Sequence, residues 1–299
     1  MKKGIWYGIG AYVLWGFFPI YWKFLHQVSA LQVIGHRIGW SFVVLIAFIL
    51  ITKQWAEFRA AAFNSKTIAI YALSGVLLTI NWLIYVWGVN GGFIVETSLG
   101  YFINPLLSVL LGVIFLRERL RPAQWIPVIL AAIGVIYLTV VYGRLPWIAL
   151  SLAFSFGFYG LVKKLAPLGS LYGLTLETGI VLPIALIYLV FVQFNGSGAF
   201  LHDGTLVDIF LIGAGIVTTI PLLMFASAAK EIPLTMVGIL QYIAPTLQIF
   251  IGVFMYKEPF DHAHLIGFGL VWIALIIFWV ENLSSQRTPV EPIPELGEG

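Results

Sequence analysis

Apolar residues run along this chain in stretches of about twenty, at about 4–25, 31–52, 67–89, 93–115, 123–142, 147–164, 171–192, 207–229, 232–255 and 263–281. The connections between them are mostly shorter than 15 residues. A hydrocarbon core of about 30 Å takes about 20 apolar residues of helix. The pattern therefore predicts an all-α polytopic membrane protein with ten transmembrane helices and no soluble domain. The first stretch follows Lys2 and Lys3, as a signal peptide would. It is too long for an h-region and has no small-x-small cleavage site, so it is expected to stay as the first helix.

The polar positions orient the spans. With the N-terminus inside, twelve of the 16 Lys and Arg residues fall on inner segments. Three (Lys23, Arg144, Lys257) fall on outer segments, and Arg37 lies within a span. That bias is a positive-inside signal and predicts cytoplasmic termini in the cell membrane. The tail 284–299, SSQRTPVEPIPELGEG, is polar and Pro-rich and is expected to be disordered. The one long external loop is QFNGSGAFLHDGT, 193–205.

The chain also repeats itself. LGYFINPLLSVLLGVIFLRE (99–118) matches ILQYIAPTLQIFIGVFMYKE (239–258) at an offset of 140, pairing Pro105 with Pro245, Gly112 with Gly252 and Glu118 with Glu258. At an offset of 141, Trp6 pairs with Trp147, Gly16 with Gly157 and Lys23 with Lys164. Two five-helix repeats are expected, 1–142 and 143–283. An odd number of spans inverts the second against the first, an arrangement used by transporters.

Composition narrows the function. Hydrophobic residues are 61% and charged residues 10%, against about 25% charged in soluble proteins. A soluble enzyme and a nucleic-acid binder are excluded on that ground, and the surplus of 16 basic over 13 acidic residues reflects membrane orientation. The chain has no cysteine, hence no disulfide, thiolate nucleophile or Cys-ligated metal. No cofactor or metal site is expected, since His262 and His264 are two apart and lie on different faces.

The segments GIWYGIGAYVLWGFFPIYWK, HRIGWS, NWLIYVWGVN and ETSLGYFINPLLSVLLGVIFLRERL resemble the EamA-like branch of the drug/metabolite transporter superfamily, the RarD type in particular. The resemblance covers all ten spans. It implies a ten-span carrier with two five-helix repeats around a central cavity. It also implies an association with chloramphenicol sensitivity, without fixing the solute.

Polar groups at membrane depth are costly, so each is a functional candidate. In the fourth span Glu96, Gly100, Asn104 and Ser108 recur every four residues on one face, flanked by Tyr101 and Pro105. The ninth span offers Gln241, Tyr242, Pro245 and Gln248; the third offers Asn81 and Tyr85; the first offers Tyr12 and Trp15. These twelve residues, Glu96 and Ser108 aside, are expected to line a substrate cavity. The competing reading is helix packing through small residues and interhelical hydrogen bonds.

A charge network is expected from Lys23, His36, Arg37, Glu96 and Glu177. Glu96 would pair with Arg37 or Lys23 at the outer mouth, unless both cations reach the outer headgroups. Glu177 aligns with His36 at offset 141, and either could exchange a proton during transport; the blander role is support of a helix end. Glu118 and Glu258 are expected to hold the turn into the following helix by accepting backbone donors. Gly134, Gly267 and Gly269 offer close-packing points for a homodimer.

These features point to a secondary carrier for a small neutral or zwitterionic solute in a lipid bilayer. No GxxxxGKS loop is present, so a proton gradient or exchange would supply the energy. The alternative is a membrane-embedded enzyme acting on a lipid or isoprenoid, but no DxxD, HExxH or GxSxG motif occurs. A channel would need a filter segment, and none is evident.

Overall fold

A computed structural model describes residues 2–90, 93–142, 146–256 and 262–285. The described chain is all helix and turn. In order it contains α1 (Lys2–Gly16), α2 (Phe18–Lys23), α3 (Ala30–Ile51), α4 (Trp55–Ala62), α5 (Ser65–Asn90), α6 (Ile94–Phe115) and α7 (Pro122–Tyr142). The second half contains α8 (Trp147–Leu165), α9 (Ser170–Phe194), α10 (Thr205–Glu231), α11 (Leu234–Gln241), α12 (Ile243–Phe250), a π-turn (Ile251–Met255) and α13 (His262–Ser285). Six of these segments, the broken 234–255 stretch included, are long and apolar enough to cross a membrane, and α6, α7 and α13 contain shorter apolar stretches.

Two predicted spans are broken, and proline is the reason in both. Pro19 sits at the start of α2 and has no N–H for the carbonyl of Trp15, four residues back. The chain breaks at Phe17, and the freed Trp15 carbonyl accepts a hydrogen bond from Gln248 Nε2 at 3.1 Å. Pro245 likewise withholds a donor from Gln241, and α11 ends there. The short helix α4 is an addition to the expected elements. It folds back so that Phe58 and Ala62 bury against Tyr71, Leu168 and Leu176.

The outer surface is apolar, as lipid requires. On α10, Ile209, Ile212, Ile216 and Ile220 are exposed, while Leu211, Ala214, Gly215, Thr218 and Leu222 on the opposite side are buried. The interior instead carries polar groups and close backbone contacts. The Ser41 hydroxyl donates to the Gly215 carbonyl at 3.1 Å, joining α3 to α10. Gly134 packs on the Gly267 carbonyl of the same chain, so α7 and α13 use those two glycines within the molecule; a Cβ on Gly269 would meet nothing within 4 Å among the described residues.

Helix neighbours follow a two-fold scheme. α6 packs on α8 as α12 packs on α1; α5 packs on α8 as α10 packs on α1; α3 packs on α10 as α9 packs on α5. Exchanging the halves maps each pair onto another. All of these contacts join the two halves, as do α11 with α6 and α3 with α9, pairs that the exchange maps onto themselves.

Candidate functional site: a central aromatic cavity

The broken helices α1/α2 and α11/α12 face α5 across a cavity of about 220 Å³. Tyr12, Trp15, Phe18, Pro19 and Trp22 come from the first span. Leu78, Asn81, Trp82 and Tyr85 come from α5, Arg37 from α3 and Tyr101 from α6. The second half supplies Phe156, Leu222, Gln241, Ala244, Pro245 and Gln248. Both halves thus build one site.

Aromatic rings make its floor. Trp15 lies 5.5 Å from Tyr12, 6.0 Å from Phe156 and 5.7 Å from Phe225, centroid to centroid. Beneath them Tyr159 stacks on Phe225 at 5.7 Å. Asn81 is held rigidly, its Nδ2 donating to the Leu152 carbonyl at 2.9 Å and to Ser155 Oγ at 3.0 Å. Its carbonyl oxygen is thereby oriented, because both donors of the amide are spent. At the other end Tyr85 and Tyr101 meet edge to face at 5.6 Å.

Eight of the residues expected at the cavity line it: Tyr12, Trp15, Asn81, Tyr85, Tyr101, Gln241, Pro245 and Gln248. Four do not. A Cβ on Gly100 would lie 3.1 Å from the Ala149 carbonyl, so this glycine serves the approach of α6 to α8. Pro105 is buried at the α6–α11 crossing, where a Cβ on Gly238 would meet its carbonyl at 2.7 Å. Asn104 is buried with no hydrogen-bond partner for its Oδ1 among the described residues. Tyr242 packs on Phe102 and donates to the Phe102 carbonyl at 3.2 Å.

The charged candidates separate. Arg37 lines the cavity, and its Nε donates to Thr218 Oγ1 at 2.9 Å on the side of the smaller neighbouring cavity. Lys23 lies 3.7 Å above the Tyr256 ring. His36 is outside the cavity, buried against Phe200 at 5.1 Å, under the loop between α9 and α10 that Gln32 fastens through Ser197 and Ala199. The side chains of Glu96 and His264, all of Glu258 and the tail 286–299 lie outside the described residues, and with them the proposed pairing of Glu96.

Glu177 is not at a helix end. It sits two turns into α9 and forms an ion pair with Lys163 of α8 at 2.8 Å, both side chains only 2% exposed. The Ser74 hydroxyl donates to the same oxygen at 2.7 Å, and the rings of Tyr71 and Tyr159 flank the ammonium at 5.4 and 5.6 Å. The second oxygen, Oε1, is buried without a hydrogen-bond partner among the described residues. A small cavity of about 20 Å³ touches Glu177, Thr178, Thr218 and Arg37, enough for one water. Sequence reasoning placed Lys163 in an inner connection with Lys164. The two separate because adjacent helical positions point about 100° apart. Lys163 turns inward, whereas Lys164 reaches the carbonyls of Ala229 and Ile232 at the end of α10, at 3.0 and 2.7 Å.

Glu118 accepts backbone donors, but not from the helix that follows it. Its carboxylate takes the N–H groups of Leu234 and Thr235 at 2.6 and 2.9 Å, capping α11 in the other half. The reason is geometric: the chain after α6 doubles back at Arg117, which has φ of 54°, and turns Glu118 toward Gly112 and the start of α11.

Comparison with known proteins agrees with this architecture. The profile of the EamA-like transporter family matches residues 2–140 and again 145–280. The transporter YojE of Bacillus subtilis is 46% identical over 290 residues, covering 96% of each chain. The protein RarD of Escherichia coli is 40% identical over 286 residues, covering 96% of this chain and 97% of RarD. A solved crystal structure superposes with a TM-score of 0.69 over 96% of this chain and 99% of its own, at 17% identity, which is a likeness of fold. Two matched segments, full-length relatives and a cavity shared by both halves lead to one statement: the chain is a membrane transporter that belongs to the EamA-like family, and within it to the RarD type.

Proposed function

We propose that the protein is a secondary carrier that exports a small neutral or zwitterionic metabolite or drug across the cytoplasmic membrane. Ten spans form two inverted five-helix halves with both termini cytoplasmic, and the halves rock around the central site to give alternating access. The observation that carries this reading is the cavity of about 220 Å³, walled by aromatics and amides from both halves. Such a lining binds a compact solute through stacking and a few oriented hydrogen bonds. Glu177, buried beneath the cavity with one oxygen lacking a hydrogen-bond partner among the described residues, is the coupling carboxylate: a proton there dissolves the pair with Lys163 and releases α8 from α9.

The test is counterflow in proteoliposomes against a panel of amino acids, metabolites and amphenicols. A carrier gives saturable uptake and trans-stimulation by internal solute, whereas linear flux without counterflow overturns the reading. An imposed pH gradient should drive net flux in the native protein but not in Glu177→Gln. A Gln variant with full pH response removes Glu177 from coupling while leaving the carrier intact.

A further inference from the structure

Arg37 is the one cation in the central cavity among the described residues, and it is incompletely used. A guanidinium has five N–H donors in a rigid plane. Among the described residues, one of them is engaged, Nε with Thr218 at 2.9 Å, and no carboxylate lies within ion-pair distance. The charge is instead surrounded by rings. Its Cζ lies over Trp82 at 4.2 Å, Trp22 at 4.8 Å and Phe18 at 6.0 Å. The phenols of Tyr85 and Tyr101 are within its electrostatic reach.

Ring faces attract the charge, but they offer no lone pair to the terminal N–H groups. Those groups open on a cavity whose remaining lining is aromatic, aliphatic and amide, with no second charge among the described residues. A guanidinium at membrane depth without a counter-charge among the described residues is unfavourable, and its planar fork matches one kind of partner best: a planar carboxylate bound through two parallel hydrogen bonds. Tyr85 and Tyr101 could add O–H donors to the same oxygens. The tryptophans beside it favour a flat apolar body attached to that carboxylate.

We infer that Arg37 is the solute's anion-binding residue, and that the transported class consists of small carboxylates carrying an aromatic or similarly flat apolar group. The inference rests on the carrier reading above and replaces its neutral solute with one that carries a carboxylate. It moves Arg37 from a structural charge network into substrate selection. Asn81, Gln241 and Gln248 then address the remainder of the solute.

The experiment is isothermal titration calorimetry on the full-length protein in lipid nanodiscs. The probes are benzoate, indole-3-acetate and N-acetylphenylalanine, each against its primary amide, which keeps the shape and removes the charge. At least one acid should bind about tenfold or more tighter than its amide, the weight of a charge-assisted bidentate contact. Arg37→Gln should abolish that preference, and Arg37→Lys should restore part of it, because charge returns without the fork. The acid–amide comparison needs no variant and holds even if Arg37→Gln fails to fold. If none of the three acids outbinds its amide, or if Arg37→Gln keeps the preference, the anion site is refuted. Counterflow of neutral solutes would still stand in that case, so the two readings fail separately.

Discussion

Replacing Glu177 with glutamine tests the buried ion pair most directly. The Lys163 ammonium and the Glu177 carboxylate are 2.8 Å apart and nearly fully buried. At an effective dielectric of about 20 their Coulomb attraction is about 6 kcal/mol. Burying both charges cancels much of that, but removing one partner leaves the other uncompensated, which destabilises by about 3–5 kcal/mol. The Tyr71 and Tyr159 rings and the Ser74 hydroxyl persist in Glu177→Gln, so the lower end of that range is expected. Lys163→Met strands the carboxylate instead and should be as harmful. The double variant Lys163→Met/Glu177→Gln removes both charges together and should recover part of the loss. Thermal unfolding of the four proteins in one detergent gives the coupling energy as a double-mutant cycle. Single variants as stable as the native protein, or a double variant no better than the sum of the singles, would refute the reasoning.

Glu118→Ala should strip the N-terminus of α11 of both side-chain acceptors and lower stability by about 1–2 kcal/mol, measured by the same unfolding assay. Gly238→Ala places a methyl 2.7 Å from the Pro105 carbonyl. It should force α11 away from α6 and destabilise by about 1–3 kcal/mol, with a smaller loss for Gly160→Ala, whose Cβ meets nothing nearer than 3.6 Å. Because the chain has no native cysteine, Ser285→Cys gives a clean topology reporter. An impermeant maleimide should label it in inside-out but not right-side-out vesicles.

The helices were legible because lipid imposes one rule along the whole chain. Each apolar stretch lies in helix, and the ends agree within a few residues. The breaks at Phe17 and Tyr242 were less so. Pro19 and Pro245 were visible, but whether a proline bends a helix or severs it depends on what satisfies the freed carbonyl, here Gln248 from another helix for Trp15. Periodicity picked out one face of α6 correctly as polar or small, yet could not say what that face meets. Gly100 and Pro105 meet neighbouring backbone, and among the described residues of α6 only Tyr101, beside the stripe, reaches the cavity. Lys163 was hidden by its neighbour Lys164, since a pair of lysines at the end of a span reads as cytoplasmic charge. A signal did exist: Lys163 follows Phe156 and Tyr159 by seven and four residues, which places all three on one helical face.

The contact between Glu118 and α11 has a bearing on how such a protein arises from a duplicated gene. A carboxylate encoded in the first copy closes a helix encoded in the second. Neither copy is therefore self-sufficient: produced separately, one would carry an idle acid and the other a helix start whose first amides lack their acceptor. Cutting the chain between the copies should thus yield fragments that survive only together.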